Sequence, residues 1–197
     1  MDIERAAVLR DLIVGSPWLQ EASAFARSLR HATRVPQGLL LAGTPDDEPW
    51  HLTAHLEDEV RWNRVPELTP TLLRWSPPVG APAHLAATVD RLRELRRNEV
   101  VLVVAPITPP PALLERLADA RHRGATLMAM DVGNADLRSL AHETLTVPEN
   151  GGLVSFDNAQ HLVSLQATAR REREPRHWRG RLAALLDRLG SPESSQG

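Results

Sequence analysis

The chain has 197 residues, 42% of them hydrophobic, and a formal net charge of −2, which suits one globular domain with a sizeable core and argues against a disordered chain. That charge also argues against a global basic field, so direct nucleic-acid binding is not expected. Cysteine is absent, which excludes disulfides, thiolate catalysis and Cys-based zinc sites.

The opening Met1-Asp2-Ile3-Glu4-Arg5 lacks the basic-then-apolar layout of a signal peptide. Asp2 can cap a helix over about Ile3–Val14, ended by Gly15. Ser16-Pro17 reads as an N-cap with proline at the first helical position, opening a second helix to about His31. Gly38–Gly43 is wholly apolar, as strands buried on both faces are. The alternation then repeats. A helix over about Glu48–Trp62 is followed by a strand at Thr71–Trp75. A helix over about Pro82–Arg97, with Leu85, Val89 and Leu92 on one face, leads to the strand Val100–Val104. Helix Pro111–Arg123, stopped by Gly124, precedes strand Ala125–Met130. Helix Asp136–Glu143, strand Thr144–Val147 and a helix from Phe156 to about Ala169 close the series. Strands alternating with helices predict a three-layer αβα fold with a parallel sheet.

Beyond this α/β domain, residues 1–169, lie a charged hinge at 170–175, an arginine-rich amphipathic helix at 176–190 and a polar, disordered tail at 191–197. Trp178, Leu182, Leu185, Leu186 and Leu189 recur at helical spacing. Such a helix docks on its own domain or on a sister subunit; membrane-surface or partner binding through Trp178–Leu189 is the alternative. No apolar run approaches the roughly 20 residues of a spanning helix, so a cytoplasmic protein without a transmembrane segment is expected. All 23 basic residues are arginine, a bias that points to a GC-rich bacterial genome.

The helix after the first strand carries Glu48, His51, His55, Asp58, Glu59 and Trp62, which fall within an arc of roughly 100°. Leu52, Leu56 and Val60 form the adjoining apolar stripe. Two histidines four apart with carboxylates a turn away suit a divalent metal. The same groups also suit ordinary surface hydrogen bonds and ion pairs. His142 and His161 read as ordinary helix residues, and the five tryptophans as packing groups.

From Val100 to Pro148 the order is strand, loop, helix ending Arg123-Gly124-Ala125, strand, Asp131, short helix and Glu143-Thr-Leu-Thr-Val-Pro148. This stretch resembles the second half of a sugar isomerase (SIS) domain, and the likeness extends over roughly Ser16–Ala169. The resemblance implies a five-stranded flavodoxin-like sheet that binds phosphorylated sugars through two loops at the carboxyl ends of strands. Where the family has Gly-x-Gly-x-Ser, this chain has Ala42-Gly43-Thr44-Pro45-Asp46-Asp47. Where it has Ser-x-Ser-Gly, this chain has Ala105-Pro106-Ile107-Thr108-Pro109-Pro110-Pro111. Phosphate needs converging N–H donors and hydroxyls; each proline removes a donor, and Asp46, Asp47 and Glu48 repel an anion. One of Asp46 and Asp47 can instead cap the next helix. Thr44, Asp46, Asp47 and Thr108 are the candidate ligand contacts left.

The phosphoheptose isomerase branch of the family implies more: a zinc ion held by a His-x-x-x-Glu pair, here His55 and Glu59, and by a glutamine on the closing helix, here Gln160, with His51 as a further candidate. The branch's remaining histidine falls near Thr168. Together these readings give a non-catalytic SIS-like binding or scaffolding protein, a pseudoenzyme that is a homodimer or tetramer and binds a carbohydrate derivative weakly. The alternative is a metal-dependent aldose–ketose phosphosugar isomerase.

Overall fold

The structure, a computed structural model, describes residues 16–82, 85–148 and 154–169. The expected first helix, the hinge, the amphipathic helix and the tail all lie outside the described residues. The described residues form five strands: β1 (Leu39–Gly43), β2 (Pro70–Leu73), β3 (Val100–Ala105), β4 (Thr126–Asp131) and β5 (Glu143–Thr146). They form one sheet in the order β2-β1-β3-β4-β5, with every pairing parallel. Leu39 lies opposite both Pro70 and Val100, and Val100 lies opposite Thr126.

Among the described residues five helices flank the sheet: α1 (Pro17–Ala32), α2 (Trp50–Asn63), α3 (Pro111–His122), α4 (Ala135–Leu140) and α5 (Phe156–Thr168). Because successive strand residues point to opposite faces, the sheet feeds two separate cores. Leu39, Leu41, Val100, Leu102, Val104, Met128 and Met130 pack with α1, α2 and α5. Leu40, Ala42, Val101, Val103, Ala105, Leu127 and Ala129 pack with α3, α4 and a 3₁₀ turn at Val89–Glu94. The three layers and parallel sheet expected from the alternation are therefore present, in the flavodoxin-like order.

Local chemistry explains most boundaries. Ser16 caps α1, its hydroxyl accepting from the Leu19 amide at 3.2 Å, and Pro17 follows at the first helical position. Asn134 and Ser155 cap α4 and α5 in the same way. Gly124 adopts a φ of +92° where α3 ends, the left-handed conformation that glycine tolerates best. Helix α1 is tied to the far end of the chain: the Trp18 indole donates to the Thr146 carbonyl at 2.8 Å, and the Arg30 guanidinium donates to the Ala167 and Ala169 carbonyls beyond the last turn of α5.

Four local expectations are corrected. The segment expected as a helix over Pro82–Arg97 is instead a bridge followed by the 3₁₀ turn. The Arg74 amide donates to Ala87 and the Val89 amide donates to Arg74, so this backbone pairs alongside the strand end. Val89, Leu92 and Leu95 are all buried, at the three-residue spacing that a 3₁₀ turn aligns. Helix α4 stops at Leu140, and His142 extends the β4–β5 ladder instead: its Nδ1 accepts from the Leu127 amide at 3.0 Å. Neither Asp46 nor Asp47 caps α2, whose N-cap is Pro49 with no side-chain cap. Nor do all the tryptophans pack: Trp62 is 70% exposed.

Candidate functional site

In a sheet of this order the chain leaves β1 and β3 toward opposite sides, so a crevice opens beyond their carboxyl ends. Gly43 and Val104 are register partners there, which puts the loops holding Thr44 and Thr108 at the same edge of the molecule. Thr108 is exposed. Thr44 is buried, and its hydroxyl has no hydrogen-bond partner. Gly43 is required by close approach: a Cβ there would sit 2.2 Å from the Asp47 carbonyl oxygen and 2.7 Å from Pro49. The loop thus folds back tightly on its own strand.

Glu48 fastens this loop to β2. Its carboxylate accepts from the Trp75 amide at 2.8 Å, from Arg74 Nε at 3.1 Å and from the Trp50 indole at 3.1 Å. The Arg74 guanidinium also lies over the Trp50 ring, 4.6 Å from its centroid. Trp75 closes the loop from the other side, its indole donating to the Gly43 carbonyl at 2.9 Å. A backbone amide, a guanidinium and an indole N–H are the donors a phosphate would seek, and here a carboxylate of the chain itself takes all three.

The second part of the site lies on the seam between α2 and α5. His51 and His55, one turn apart on α2, meet His161 from α5. One ring nitrogen from each falls in a group whose members all lie within 4.8 Å of one another. His51 Nε2 and His161 Nε2 are 2.9 Å apart, and the His55 and His161 ring centroids are 3.6 Å apart. Burial, then the neighbouring His55 and His51, lower the His161 pKa to about 4, against an opposing pull from Asp157. His55 is lowered by burial and then by His51, with Asp58 opposing. Both shifts favour the neutral imidazole in His55 and His161, the form that ligates metals. At the loop, burial and then Asp157 raise the Asp47 carboxyl above its usual range. Asp157 thus acts on both Asp47 and His161, and links the loop to the seam.

Glu59 and Gln160 are placed differently. Glu59 is buried and accepts from Asn63 Nδ2 at 2.8 Å, while the same Asn63 amide reaches Thr168 Oγ1 at 3.3 Å. Thr168, at the position of the branch's further histidine, also donates to the Ser164 carbonyl at 2.8 Å. Gln160 is buried, with its Nε2 3.4 Å from Asp157 and its Oε1 without a partner. The structure brings His51 and His55 together, and Glu59 is not in their group. The zinc set implied by the branch does not fit these positions: one carboxylate oxygen is bound by Asn63, and a threonine fills the place of a ligand. His161 is the residue that the sequence reading missed. Its signal was an Asp157-x-x-x-His161 pair on the closing helix, but a partner 110 residues away becomes visible only once α2 and α5 are known to adjoin.

This edge and this seam belong to an open, doubly wound α/β protein with a crevice between β1 and β3. Within that class the chain has the sugar isomerase (SIS) fold. It is similar to the sugar isomerase domain of the RpiR transcription factor from Sphaerobacter thermophilus, with 15% identity and a TM-score of 0.52 over 95% of this chain and 92% of that one. It is similar to a protein assigned as a phosphosugar isomerase from Salmonella typhimurium, with 10% identity and a TM-score of 0.56 over 89% of this chain and 50% of that one. A third such structure, from Silicibacter pomeroyi, has 14% identity and a TM-score of 0.54 over 96% and 53%. The chain spans about half the length of these last two proteins. No family model and no curated protein sequence matches it. Among the described residues, no helix is long and apolar enough to cross a membrane.

Proposed function

We propose that the chain is a non-catalytic binding or scaffolding domain on the SIS fold, a homo-oligomer that holds a carbohydrate derivative weakly. One observation carries this reading: the Glu48 carboxylate occupies the donors at the mouth of the β1 loop. An incoming phosphate would have to displace an internal anion and then sit beside it, and like charges at such range are costly. The proline run at 109–111 removes three further amide donors from the opposite loop. The fold itself accommodates such a role, since a sugar isomerase domain of similar extent belongs to a transcription factor.

The test is a thermal-shift series with hexose 6-phosphates and their unphosphorylated sugars, joined to an aldose–ketose interconversion assay. The expected result is a small shift, similar for both sugar forms, and no turnover, because a ligand raises apparent stability in proportion to its occupancy of the native state. A shift of several degrees specific to the phosphate esters, with turnover, would overturn the proposal. Light scattering on a size-exclusion column should give a dimer or tetramer, and a strict monomer counts against the scaffold.

The second reading, a metal-dependent aldose–ketose isomerase in the cytoplasm, is favoured by the histidine group and by Asp47, whose raised pKa suits proton transfer. The same interconversion assay, repeated with added divalent metal, decides it.

A further inference from the structure

We propose that His51, His55 and His161 form a three-histidine site for a zinc-class divalent cation, with a fourth coordination position open to water. The set differs from the one implied by the phosphoheptose isomerase branch: it keeps one position, drops Glu59 and Gln160, and sits a turn nearer the start of α2.

The geometry carries the assignment. Tetrahedral zinc with Zn–N bonds of about 2.0–2.1 Å holds its nitrogens about 3.3 Å apart. The three ring nitrogens here lie within 4.8 Å of one another, with His51 and His161 at 2.9 Å, so that distance falls inside the spread and rotamer adjustments alone could close the site. His51 and His55 present two ligands from one helical face, and His161 supplies the third from the facing helix. The ion would therefore clamp α2 to α5. Three imidazoles with no thiolate suit late first-row cations rather than magnesium or calcium, which take oxygen ligands. Without an ion, the three imidazoles meet edge-on or tilted, and His51 Nε2 and His161 Nε2 have only one another as ring partners at 2.9 Å. His51 is exposed and the other two are half-buried, so the fourth position faces solvent.

The test uses the full, untagged chain, stripped with chelator and titrated with Zn²⁺ in a calorimeter, and Co²⁺ absorption as a report of coordination number. One zinc per chain and four-coordinate cobalt bands are expected. His55→Ala and His161→Ala should weaken binding by more than about 100-fold, beyond the 10–100-fold that outer-shell changes cost. Glu59→Gln should bind as the wild type does. His161→Asn, which keeps a polar side chain at the seam, serves if the alanine variant does not fold. Sub-stoichiometric zinc in the wild type overturns the proposal, as does a folded His161 variant that binds as tightly as the wild type. Loss of binding in a folded Glu59→Gln equal to that in His55→Ala would also overturn it, in favour of the set containing Glu59. Metal binding is read without turnover, so failure here leaves the scaffold reading untouched.

Discussion

The loop after β1 and the seam between α2 and α5 both adjoin the start of α2, yet their polar groups are satisfied in opposite ways. In the loop, Glu48 finds an amide, a guanidinium and an indole, and the Trp75 indole finds the Gly43 carbonyl. On the seam, the histidines chiefly face one another, and protonating His161 is opposed by burial and then by the other two. A closed set of donors and acceptors stabilises the fold. A converging set of like ligands awaits something from outside.

The comparison is best broken by removing the carboxylate that closes the loop. Glu48→Ala strands the Trp75 amide and the Arg74 guanidinium, and should cost about 2–4 kcal/mol in urea unfolding. A loss below about 1 kcal/mol would show the loop to be held by something else. On the other region, saturating zinc should stabilise by about 2.7 kcal/mol at a hundred times its Kd, raising Tm by roughly 5–10 °C for a domain of this size. His161→Asn should abolish that rise while leaving the effect of Glu48→Ala intact, because the two sites share no hydrogen bond. Gly43→Ala drives a Cβ into the Asp47 backbone and should cost about 1–3 kcal/mol, again with metal affinity unchanged.

The smallest expected effect is a pH dependence of the metal-free protein. His161 binds its proton less readily folded, at about 4, than unfolded, near the ordinary 6.5. Between those values the unfolded chain holds more protons, so stability rises with pH across this window and is lost as pH falls through it. Melting curves from pH 7 to 4 in chelator should show a steeper decline for the wild type than for His161→Asn. Equal slopes would mean that neither burial nor the neighbouring imidazoles hold His161 below its ordinary pKa.

The sheet was almost fully legible. Gly38–Gly43 and Val100–Val104 are short and apolar throughout, and such runs have few uses other than a strand covered on both faces. Where local pattern and tertiary pairing competed, legibility ended. Val89 and Leu92 fit a helix face as well as a 3₁₀ turn, and the bridge from Arg74 to Thr88 decided between them. The absence of the usual phosphate loops could be read from Pro45, Asp46 and the prolines after Thr108. What replaced them could not, because the role of Glu48 depends on Arg74 and Trp75, 26 and 27 residues onward. His51 and His55 could be singled out as candidate ligands from spacing alone, whereas the third histidine beside them required the helix order of the folded sheet.

The attachments of α1 bear on how the chain is made. Its apolar face, with Leu19, Phe25 and Leu29, is made well before its partners, and Trp18 must wait for Thr146, 128 residues later. At about 5–20 residues per second the delay is roughly 6–26 s. Throughout that interval an amphipathic helix with nowhere to dock invites chaperones or a neighbouring nascent chain, so premature association during synthesis should fall when Phe25 is shielded and rise when translation is slowed before β5.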